Sequence, residues 1–527
     1  MTRRWMWFDA LAVGATAGLL AEVLVLRMNP EVPQAARVVL LGLPLWATWG
    51  MFGAGLPLIL ALTLLNRLRP RPERWSGPAL SALAFTAGAI LSRFNAHLHP
   101  NLLQGSAHRV MAQDAVAWIV AALFALAGGA LVRRLRGGPS LRVFFAVTVF
   151  ALPLIRVLWV PTPPRQPLEV AARPLGETSR RLLVLGIEGL DAKVLLVDAA
   201  GERYTALVRI REHGSWGPIT PHQPYLRWAL WTSAATGTFP GRHGVKAHWG
   251  WNLPMVFSET LRLLPWTPQG SRGILPWWLA QRVPPPPATV APLWARLQAS
   301  GRSTAVFGWP GAWGDDPAIV DSPAGGTVLE ATIGAALEAA LEPFPERRSQ
   351  IWAAIVGDQT RADAARVALE SGAENVWIHL ETLALIRRYH EPLRPRDTAE
   401  RQLLELAIEL LDEQVGAMLA VVGTDSLVAV VSPYGLAPPG SLERFRRLLG
   451  GGGAWRTSAE SCPDGLLMLM GDGVREGQRV LASRPPDLAP TMCYLLGLPV
   501  AQYMEGGVVV DAVKPAFLAE HPLRVVD

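Results

Sequence analysis

The chain has 527 residues and a net charge of +6, with half of its residues hydrophobic and only 17% charged. The charged fraction is below the roughly 25% of ordinary globular domains, and residues 1–160 hold 15 arginines and no lysine against five carboxylates. This first part therefore carries +10 and the remainder −4. The basic character belongs to segments around apolar runs, which excludes a basic nucleic-acid-binding surface.

Five apolar segments within residues 1–160 predict membrane-spanning helices, each of which needs about 20 residues. The second segment is long, so it is expected to tilt or kink near Pro44 or Pro57, and the third is the shortest. Tryptophans near the segment ends are typical of the membrane interface. The segments are Phe8–Leu26, Val38–Leu65, Gly77–Ser92, Ala115–Val132 and Val143–Val160.

The arginines of residues 1–160 predict the orientation of these helices. Ten arginines precede the first segment or follow the second and fourth, whereas the alternate loops hold four. Positive loops stay in the cytoplasm, so we expect a multi-pass protein of the inner membrane with its C-terminal domain periplasmic or extracellular. Glu22, an acid inside the first segment, is a candidate functional group, although a structural role near the helix end is an equal alternative. The bundle is interpreted mainly as an anchor in the bilayer.

Residues 161–180 are proline-rich, which is typical of a linker. In residues 181–527 short apolar runs alternate with helical patterns, which predicts an α/β domain with a mainly parallel sheet between helices. A tryptophan-rich stretch at about 248–287 predicts a cap insertion that contacts the bilayer surface or packs on the domain. Predicted strands are Leu182–Ile187, Thr304–Gly308, Val376–Leu380, Leu427–Ser432 and Leu466–Met470. Predicted helices are Leu226–Thr236, Pro292–Ser300, Thr398–Val422 and Asp487–Leu496.

Several motifs in residues 181–512 share their order and spacing with one family. They are Leu183–Asp191, Trp231–Gly237, Pro240–Gly244, Pro463–Gly465 and Asp487–Thr491. In these motifs the chain resembles the type I phosphodiesterase/nucleotide pyrophosphatase branch of the alkaline phosphatase superfamily. The resemblance implies an alkaline-phosphatase-like fold. In active members it implies two zinc or other divalent ions, held by Asp and His, that activate a Ser or Thr nucleophile at a helix N-terminus.

The positions that carry this chemistry in the family hold other residues here. Arg227 stands at the nucleophile position, nine residues before Thr236, and Glu188 replaces the first metal-binding Asp. Arginine is a permanent cation without useful nucleophilicity, and alanine and proline offer no side-chain donor to a metal. The degenerate positions are Glu188, Arg227, Ala384, Arg388, Pro433, Tyr434 and Ser461.

These replacements predict a membrane-anchored pseudoenzyme without a metal cofactor and with a binding or scaffold role at the cell envelope. The alternative is an active metal-dependent phosphoester hydrolase or phospho-group transferase that acts on lipid or envelope substrates with a rebuilt site. Such a site would use other residues near these positions. Each of them is more readily explained by a structural role. These residues are Thr220, Thr232, Glu188, Asp191, His222 and His379.

The expected partners are the lipid bilayer and an envelope protein or an anionic ligand. We predict that Arg227 and Arg388 replace the positive charge of the family's metals, with Arg227 paired to Glu188 or the cationic pocket binding an anion. For Arg388 a solvent-facing position is equally open. Cys462 and Cys493 fit no metal-binding spacing, and the choice between buried thiols and a disulfide stays open.

Overall fold

The computed structural model of the chain divides into two compact units. The first contains Met1–Gln166 and Lys246–Pro285, and the second contains Pro167–Val245 and Pro286–Asp527. Each unit is thus built from two separate stretches of chain. The structure describes residues 2–32, 36–68, 77–135, 138–162, 173–176, 178–192, 204–223, 225–246, 249–251, 260–265, 280–283, 288–312, 331–389, 398–436 and 462–526.

The first unit holds the apolar helices, and the described residues contain five of them, the number that was predicted. Each is long and apolar enough to cross a membrane, and the third, at 22 residues, is longer than the sequence pattern indicated. The five segments are Trp7–Met28, Val39–Leu65, Gly77–Leu98, Gly105–Arg134 and Pro139–Trp159. They lie in helices α1 (Thr2–Met28), α2 (Ala36–Gly50), α3 (Leu56–Leu68), α4 (Gly77–Leu98), α5 (Gly105–Arg134) and α6 (Pro139–Trp159).

The second apolar segment is interrupted between its two prolines. Helix α2 passes into a π-helical turn, Met51–Gly55, before α3 begins at Leu56. Pro44 and Pro57 each lack the N–H that a regular helix requires, and π-helical turns commonly mark kinks. The irregularity therefore lies where the prolines make a straight helix least stable.

Glycines bring α1 against this second segment. A Cβ atom at Gly18 would lie 1.9 Å from the carbonyl oxygen of Trp46, and one at Gly50 would lie 2.1 Å from that of Gly14. Only glycine permits so close an approach of two backbones, as is common between membrane helices. α1 is also the most buried of the five segments, so the other helices surround it.

Arg27, near the end of α1, belongs to a buried ionic group. Its Nε donates to Asp114 on α5 at 2.8 Å, and Arg156 on α6 donates to the other oxygen of Asp114 at 2.7 Å. Arg27 also donates to Thr162 at 3.1 Å. A buried charge is tolerated where it is paired and hydrogen-bonded, so this group joins three helices at one end of the bundle.

The inserted segment of the first unit packs against the end of α1. Asn29 accepts hydrogen bonds from the backbone N–H groups of Arg262 and Leu263, at 2.9 and 3.0 Å, and donates to the Leu263 carbonyl at 2.7 Å. Lys246 donates to both oxygens of Glu31 at 3.1 and 3.0 Å. Strands β3 (Trp249–Trp251) and β4 (Ala280–Arg282) form an antiparallel pair within the segment. Of its five tryptophans, Trp266, Trp277 and Trp278 lie outside the described residues.

The second unit is built on a seven-stranded sheet with the order β5-β6-β1-β7-β8-β2-β9. The first four of these strands are parallel, and β8 runs antiparallel to β7 and β2. The mainly parallel α/β fold that was predicted is therefore confirmed. The strands are β1 (Leu182–Ile187), β2 (Gly214–Ile219), β5 (Thr304–Phe307), β6 (Asn375–Leu380), β7 (Leu427–Ser432), β8 (Gly465–Met470) and β9 (Gln478–Arg479), with β10 (Val500–Ala501) and β11 (Val525–Val526) in a separate pair.

Helices cover both faces of the sheet. Alternate residues of β1 point to opposite faces, as in any strand: Leu182 and Val184 belong to one apolar core, and Leu183, Leu185 and Ile187 to the other. Burial on both faces explains why the strand is apolar throughout. The helices are α7 (Thr205–Glu212), α8 (Arg227–Thr236), α9 (Pro240–His243), α10 (Leu293–Ala299), α11 (Ala331–Leu341), α12 (Pro345–Glu370), α13 (Thr382–Tyr389), α14 (Thr398–Val422), α15 (Leu488–Leu495) and α16 (Pro515–Glu520).

Cys462 and Cys493 are both buried and are not joined by a disulfide. Burial raises the pKa of the Cys493 thiol to about 12. The thiolate is the reactive form of cysteine, so Cys493 serves as a small apolar residue of the core that contains β1 and α15.

Candidate functional site

The predicted site lies where three neighbouring parallel strands end. Glu188 directly follows β1, Glu381 directly follows β6, and Tyr434 comes two residues after β7. Because β6, β1 and β7 are adjacent and parallel, their carboxyl ends meet at one edge of the sheet. Sites of open α/β sheets form at this edge.

Arg227 joins two of these carboxylates. It is the first residue of α8. Its Nε donates to Glu188 Oε2 at 2.8 Å, and its Nη2 donates to Glu381 Oε2 at 3.1 Å and also contacts Glu188. A guanidinium suits this task because its N–H groups form a rigid fork that matches carboxylates. The structure thus places the predicted partner, Glu188, against Arg227.

Glu188 is almost completely buried, with 1% of its surface exposed. The Tyr434 hydroxyl donates to its Oε1, while Arg227 and His379 approach its Oε2, the latter with Nε2 at 3.3 Å. Both carboxylate oxygens are therefore engaged by protein groups. A buried carboxylate needs such partners, since an isolated one would be strongly unfavourable.

The charges of this group stabilise one another. Burial by itself would lower the pKa of Arg227, but the carboxylates of Glu188 and Glu381 with Tyr434 raise the pKa of this side chain overall. Burial lowers the pKa of His379 despite the opposing influence of Glu188. The guanidinium is therefore the cation of the group, and His379 is a neutral imidazole beside it.

A second ionic pair supports Glu381 from helix α12. Asp358 accepts the backbone N–H groups of Glu381 and Thr382 at 2.9 and 2.8 Å, which satisfies donors at the start of α13. Arg361, one turn further along α12, pairs with Asp358 and lies 3.5 Å from Glu381. Glu381 is thus held between two arginines.

Arg387 is a site residue that the motif comparison missed. It lies on α13, donates to Asp191 at 2.9 Å and also donates to the Gly189 carbonyl, and both charged side chains are buried. The sequence analysis selected its neighbour Arg388, whose side chain lies outside the described residues. The two arginines are adjacent in the sequence, so the prediction was off by one residue.

The remaining predicted positions are apolar or undescribed. Ala384 and Tyr434 belong to one buried apolar cluster with Leu230, and Pro433 is buried just after β7. Gly189 allows Ala384 to approach closely, because a Cβ atom at this glycine would lie 3.0 Å from the Ala384 Cα. Ser461 lies outside the described residues. Glu188, Arg227, Ala384 and Tyr434 therefore converge as predicted positions of one site.

The residues present do not fit the two-metal centre of the family's active members. Arg227 occupies the space between Glu188 and Glu381, and Asp191 is held by Arg387. Within the described ranges, no group of three or more His, Cys, Asp or Glu side chains could hold a metal ion. A divalent ion would have to displace a guanidinium from a carboxylate that is almost fully buried.

Two other residues considered for a rebuilt site, Thr232 and His222, have different surroundings. Thr232 is buried inside α8, so close to Gly311 that a Cβ there would lie 2.5 Å from its Oγ1. His222 instead belongs to a buried hydrogen-bond network. The backbone N–H of Val245 donates to His243 Nδ1, so the proton of this imidazole is on Nε2, which donates to Ser233 at 3.0 Å. The Ser233 hydroxyl in turn donates to His222 Nε2 at 3.1 Å. Burial lowers the pKa of His222 to about 3. This network holds the two ends of a helix–turn segment together.

Comparison with known proteins finds a family model that matches nearly half of the chain. Residues 182–438 match the family model of the type I phosphodiesterase / nucleotide pyrophosphatase proteins. No curated protein sequence matches the chain.

Similar solved structures include murine ectonucleotide pyrophosphatase / phosphodiesterase 5, at 12% identity over 60% of this chain and 95% of that one, with a TM-score of 0.36. A variant of the alkaline phosphatase PafA aligns at 10% identity over 64% and 100% of the two chains, with a TM-score of 0.42. A 2-O GAG sulfatase aligns at 14% identity over 63% and 73%, with a TM-score of 0.40. The family model matches residues 182–438, and it describes the family that the sequence motifs predicted.

Proposed function

We propose that this protein is a membrane-anchored pseudoenzyme of the family, with a binding or scaffold role at the cell envelope. The observation that carries the proposal is the position of Arg227. It stands at the start of α8, where active members would present a nucleophilic hydroxyl, and its guanidinium joins Glu188 to Glu381. A guanidinium has donors but no acceptor and cannot be deprotonated in proteins, so it replaces both the nucleophile and part of the metals' charge.

The charge balance of the cluster supports internal charge replacement over capture of an anion. Glu188, Glu381 and Asp358 carry three negative charges, Arg227 and Arg361 carry two positive charges, and His379 is neutral. The neighbouring pair of Asp191 and Arg387 adds no net charge. The described cluster is therefore slightly negative, and an anionic ligand would meet carboxylates already bound to the arginines.

Metal content and hydrolysis test the proposal directly. The purified full-length protein is incubated with zinc or manganese in detergent, excess metal is removed, and the metal per chain and the hydrolysis of bis(p-nitrophenyl) phosphate are measured. We expect neither stoichiometric metal nor hydrolysis. Stoichiometric metal, or hydrolysis that is lost in Glu188→Gln, would overturn the proposal. Activity that is unchanged in this variant belongs to a contaminant.

We also propose that the protein lies in the inner membrane and that its α/β unit lies outside the cytoplasm. The arginine distribution supports this orientation. Contacts within the first unit support it too: Asn29 and Glu31, which follow the first span, bind the inserted segment at Leu263 and Lys246. Thr162, which follows the fifth span, binds Arg27 at the end of the first. The first and fifth spans therefore end on the side where the inserted segment lies, opposite to the N-terminus.

A further inference from the structure

Glu22 is a buried acid within the first apolar span. It is 2% exposed, and neither carboxylate oxygen has a hydrogen-bond partner in the part of the chain that the structure describes. Asp114, in the same unit, is buried to the same degree, but Arg27 and Arg156 bind its two oxygens. The two acids therefore share burial and differ in their partners, which makes Asp114 a natural reference for Glu22.

A glycine on α2 makes room for the Glu22 carboxyl group. A Cβ atom at Gly42 would lie 2.3 Å from Glu22 Oε1 and 3.4 Å from Trp46 Cδ1. Any other residue would displace the carboxyl group from this position. Trp46 is completely buried, and its Nε1 also has no hydrogen-bond partner among the described residues. Two buried polar side chains without a hydrogen-bond partner among the described residues thus meet at one glycine of α2.

The charged side chains on the surrounding helices do not compensate Glu22. Arg27, five residues further along α1, forms a closed group with Asp114 and Arg156 of α5 and α6. The other arginines whose side chains are described on α3, α4 and α5 are exposed: Arg67, Arg93, Arg109, Arg133 and Arg134. Arg142, near the start of α6, is half-buried. A carboxylate in an apolar interior is unfavourable when it has neither a cation nor a hydrogen-bond donor beside it. Such a group takes up a proton and becomes a neutral carboxylic acid.

We propose that Glu22 is a proton-binding site inside the membrane bundle. The carboxylate takes a proton from hydronium to give a neutral carboxylic acid and water, and it returns the proton to water or hydroxide at higher pH. An acid kept only for stability would form at least one strong hydrogen bond, as Asp114 does. An ionisable group inside a membrane segment that forms none is instead expected to serve a function, and here the ligand is the proton itself.

Infrared spectroscopy of the full-length protein in nanodiscs tests the proposal. At neutral pH we expect a carbonyl band from a protonated carboxyl group that is lost in Glu22→Gln and retained in Asp114→Asn. The band should weaken reversibly as the pH is raised. An unchanged carbonyl region in Glu22→Gln would show that Glu22 is ionised, and the proposal would be wrong.

Labelling with dicyclohexylcarbodiimide gives a second measurement. The O–H of a protonated carboxyl group adds across one C=N bond of the reagent, and the adduct rearranges to a stable N-acylurea without losing any group. We expect mass spectrometry to find this adduct on the peptide of Glu22 and not on that of Asp114, with labelling that falls as the pH rises. Equal labelling of both acids, or labelling of Asp114 alone, would contradict the proposal.

Thermal stability separates a proton-binding site from a structural residue. Because Glu22 makes no hydrogen bond to any described residue, Glu22→Gln is expected to melt at the same or a higher temperature than the natural protein. Asp114→Asn should melt several degrees lower, since it leaves the buried Arg27 and the half-buried Arg156 without their carboxylate. A Glu22→Gln protein that fails to fold, or that melts as low as Asp114→Asn, would assign Glu22 a structural role instead.

Discussion

Arg227 and Glu188 show how one pair of side chains redefines a site. The nucleophile position of the family holds a cation, and the first metal-ligand position holds an acid that this cation binds at 2.8 Å. Both identities were evident in the sequence, and their contact could be predicted because buried charges require partners. The contributions of Asp358, Arg361 and Arg387 could not be predicted, because no sequence motif fixed the alignment of their helices with the family.

Removal of Arg227 should destabilise the α/β unit. Arg227→Ala leaves Glu188 buried without its cation, and breaking a buried ion pair in this way costs about 3–5 kcal/mol. The matched control is Glu381→Gln, which removes the partner that is 40% exposed and should cost less than about 1 kcal/mol. Urea unfolding of the full-length protein, followed by tryptophan fluorescence, measures both. Equal losses in the two variants would contradict the assignment of Glu188 as the main partner.

His222 should make the protein less stable in acid. Burial lowers its pKa from 6.5 to about 3, so below pH 6.5 the unfolded chain takes up a proton that the folded chain does not. The resulting stability is complete above pH 6.5 and is lost as the pH falls towards 3, by about 1.4 kcal/mol per pH unit.

Unfolding free energies at several pH values, compared between the natural protein and His222→Gln, measure this contribution. We expect a smaller loss of stability on acidification in His222→Gln, because glutamine does not titrate. His213→Gln, a change at an exposed position, is the control and should leave the pH dependence as it is. An identical pH dependence in all three proteins would show that His222 does not contribute.

At the scale of elements, the strands that were predicted are those with uniformly apolar sequences. β1 and β7 have the predicted bounds, since strands buried on both faces carry continuous apolar runs. β2 was missed because its sequence, Gly214–Ile219, contains two glycines and a proline, residues that are depleted in strands. Its glycines are required by tertiary contacts: a Cβ atom at Gly214 would lie 2.0 Å from the Leu469 carbonyl oxygen. A single sequence does not reveal such a neighbour.

The contact of α1 with the second apolar segment should depend on its glycines. Gly18→Leu places a side chain where a Cβ already lies 1.9 Å from the backbone of Trp46, so the helices must separate. We expect a loss of at least 1–3 kcal/mol, the usual effect of overpacking, seen as a lower melting temperature in detergent.

Gly53→Leu is the control for this variant, because a Cβ atom at Gly53 would meet nothing within 4 Å. It adds the same side chain to the neighbouring segment and should leave the melting temperature nearly unchanged. Equal shifts in both variants would mean that the loss comes from helix propensity or hydrophobicity rather than from this contact.

For the molecule as a whole, the arginine distribution leads to a prediction of topology. A periplasmic reporter enzyme fused after Asp527 is expected to be active, and the same reporter fused after Arg69 is expected to be inactive, because the loop after the second span is rich in arginine. Activity of enzyme fusions in whole bacterial cells measures both. The reverse pattern would place the α/β unit in the cytoplasm and would rule out five spans with a cytoplasmic N-terminus.

The division of the chain between the two units has a consequence for synthesis. Since the first unit contains Lys246–Pro285 as well as the helices, the polypeptide passes between the units three times. The ribosome synthesises the apolar helices long before the segment that binds Asn29 and Glu31. These two side chains therefore lack their partners until about half of the chain has been synthesised. Cleavage within the proline-rich linker would separate the helices covalently from the rest of the chain, and the contacts of the inserted segment with Asn29 and Glu31 would then hold the two fragments together. Retention of the α/β unit after such a cut therefore depends on how tightly the inserted segment packs against the end of the first apolar helix.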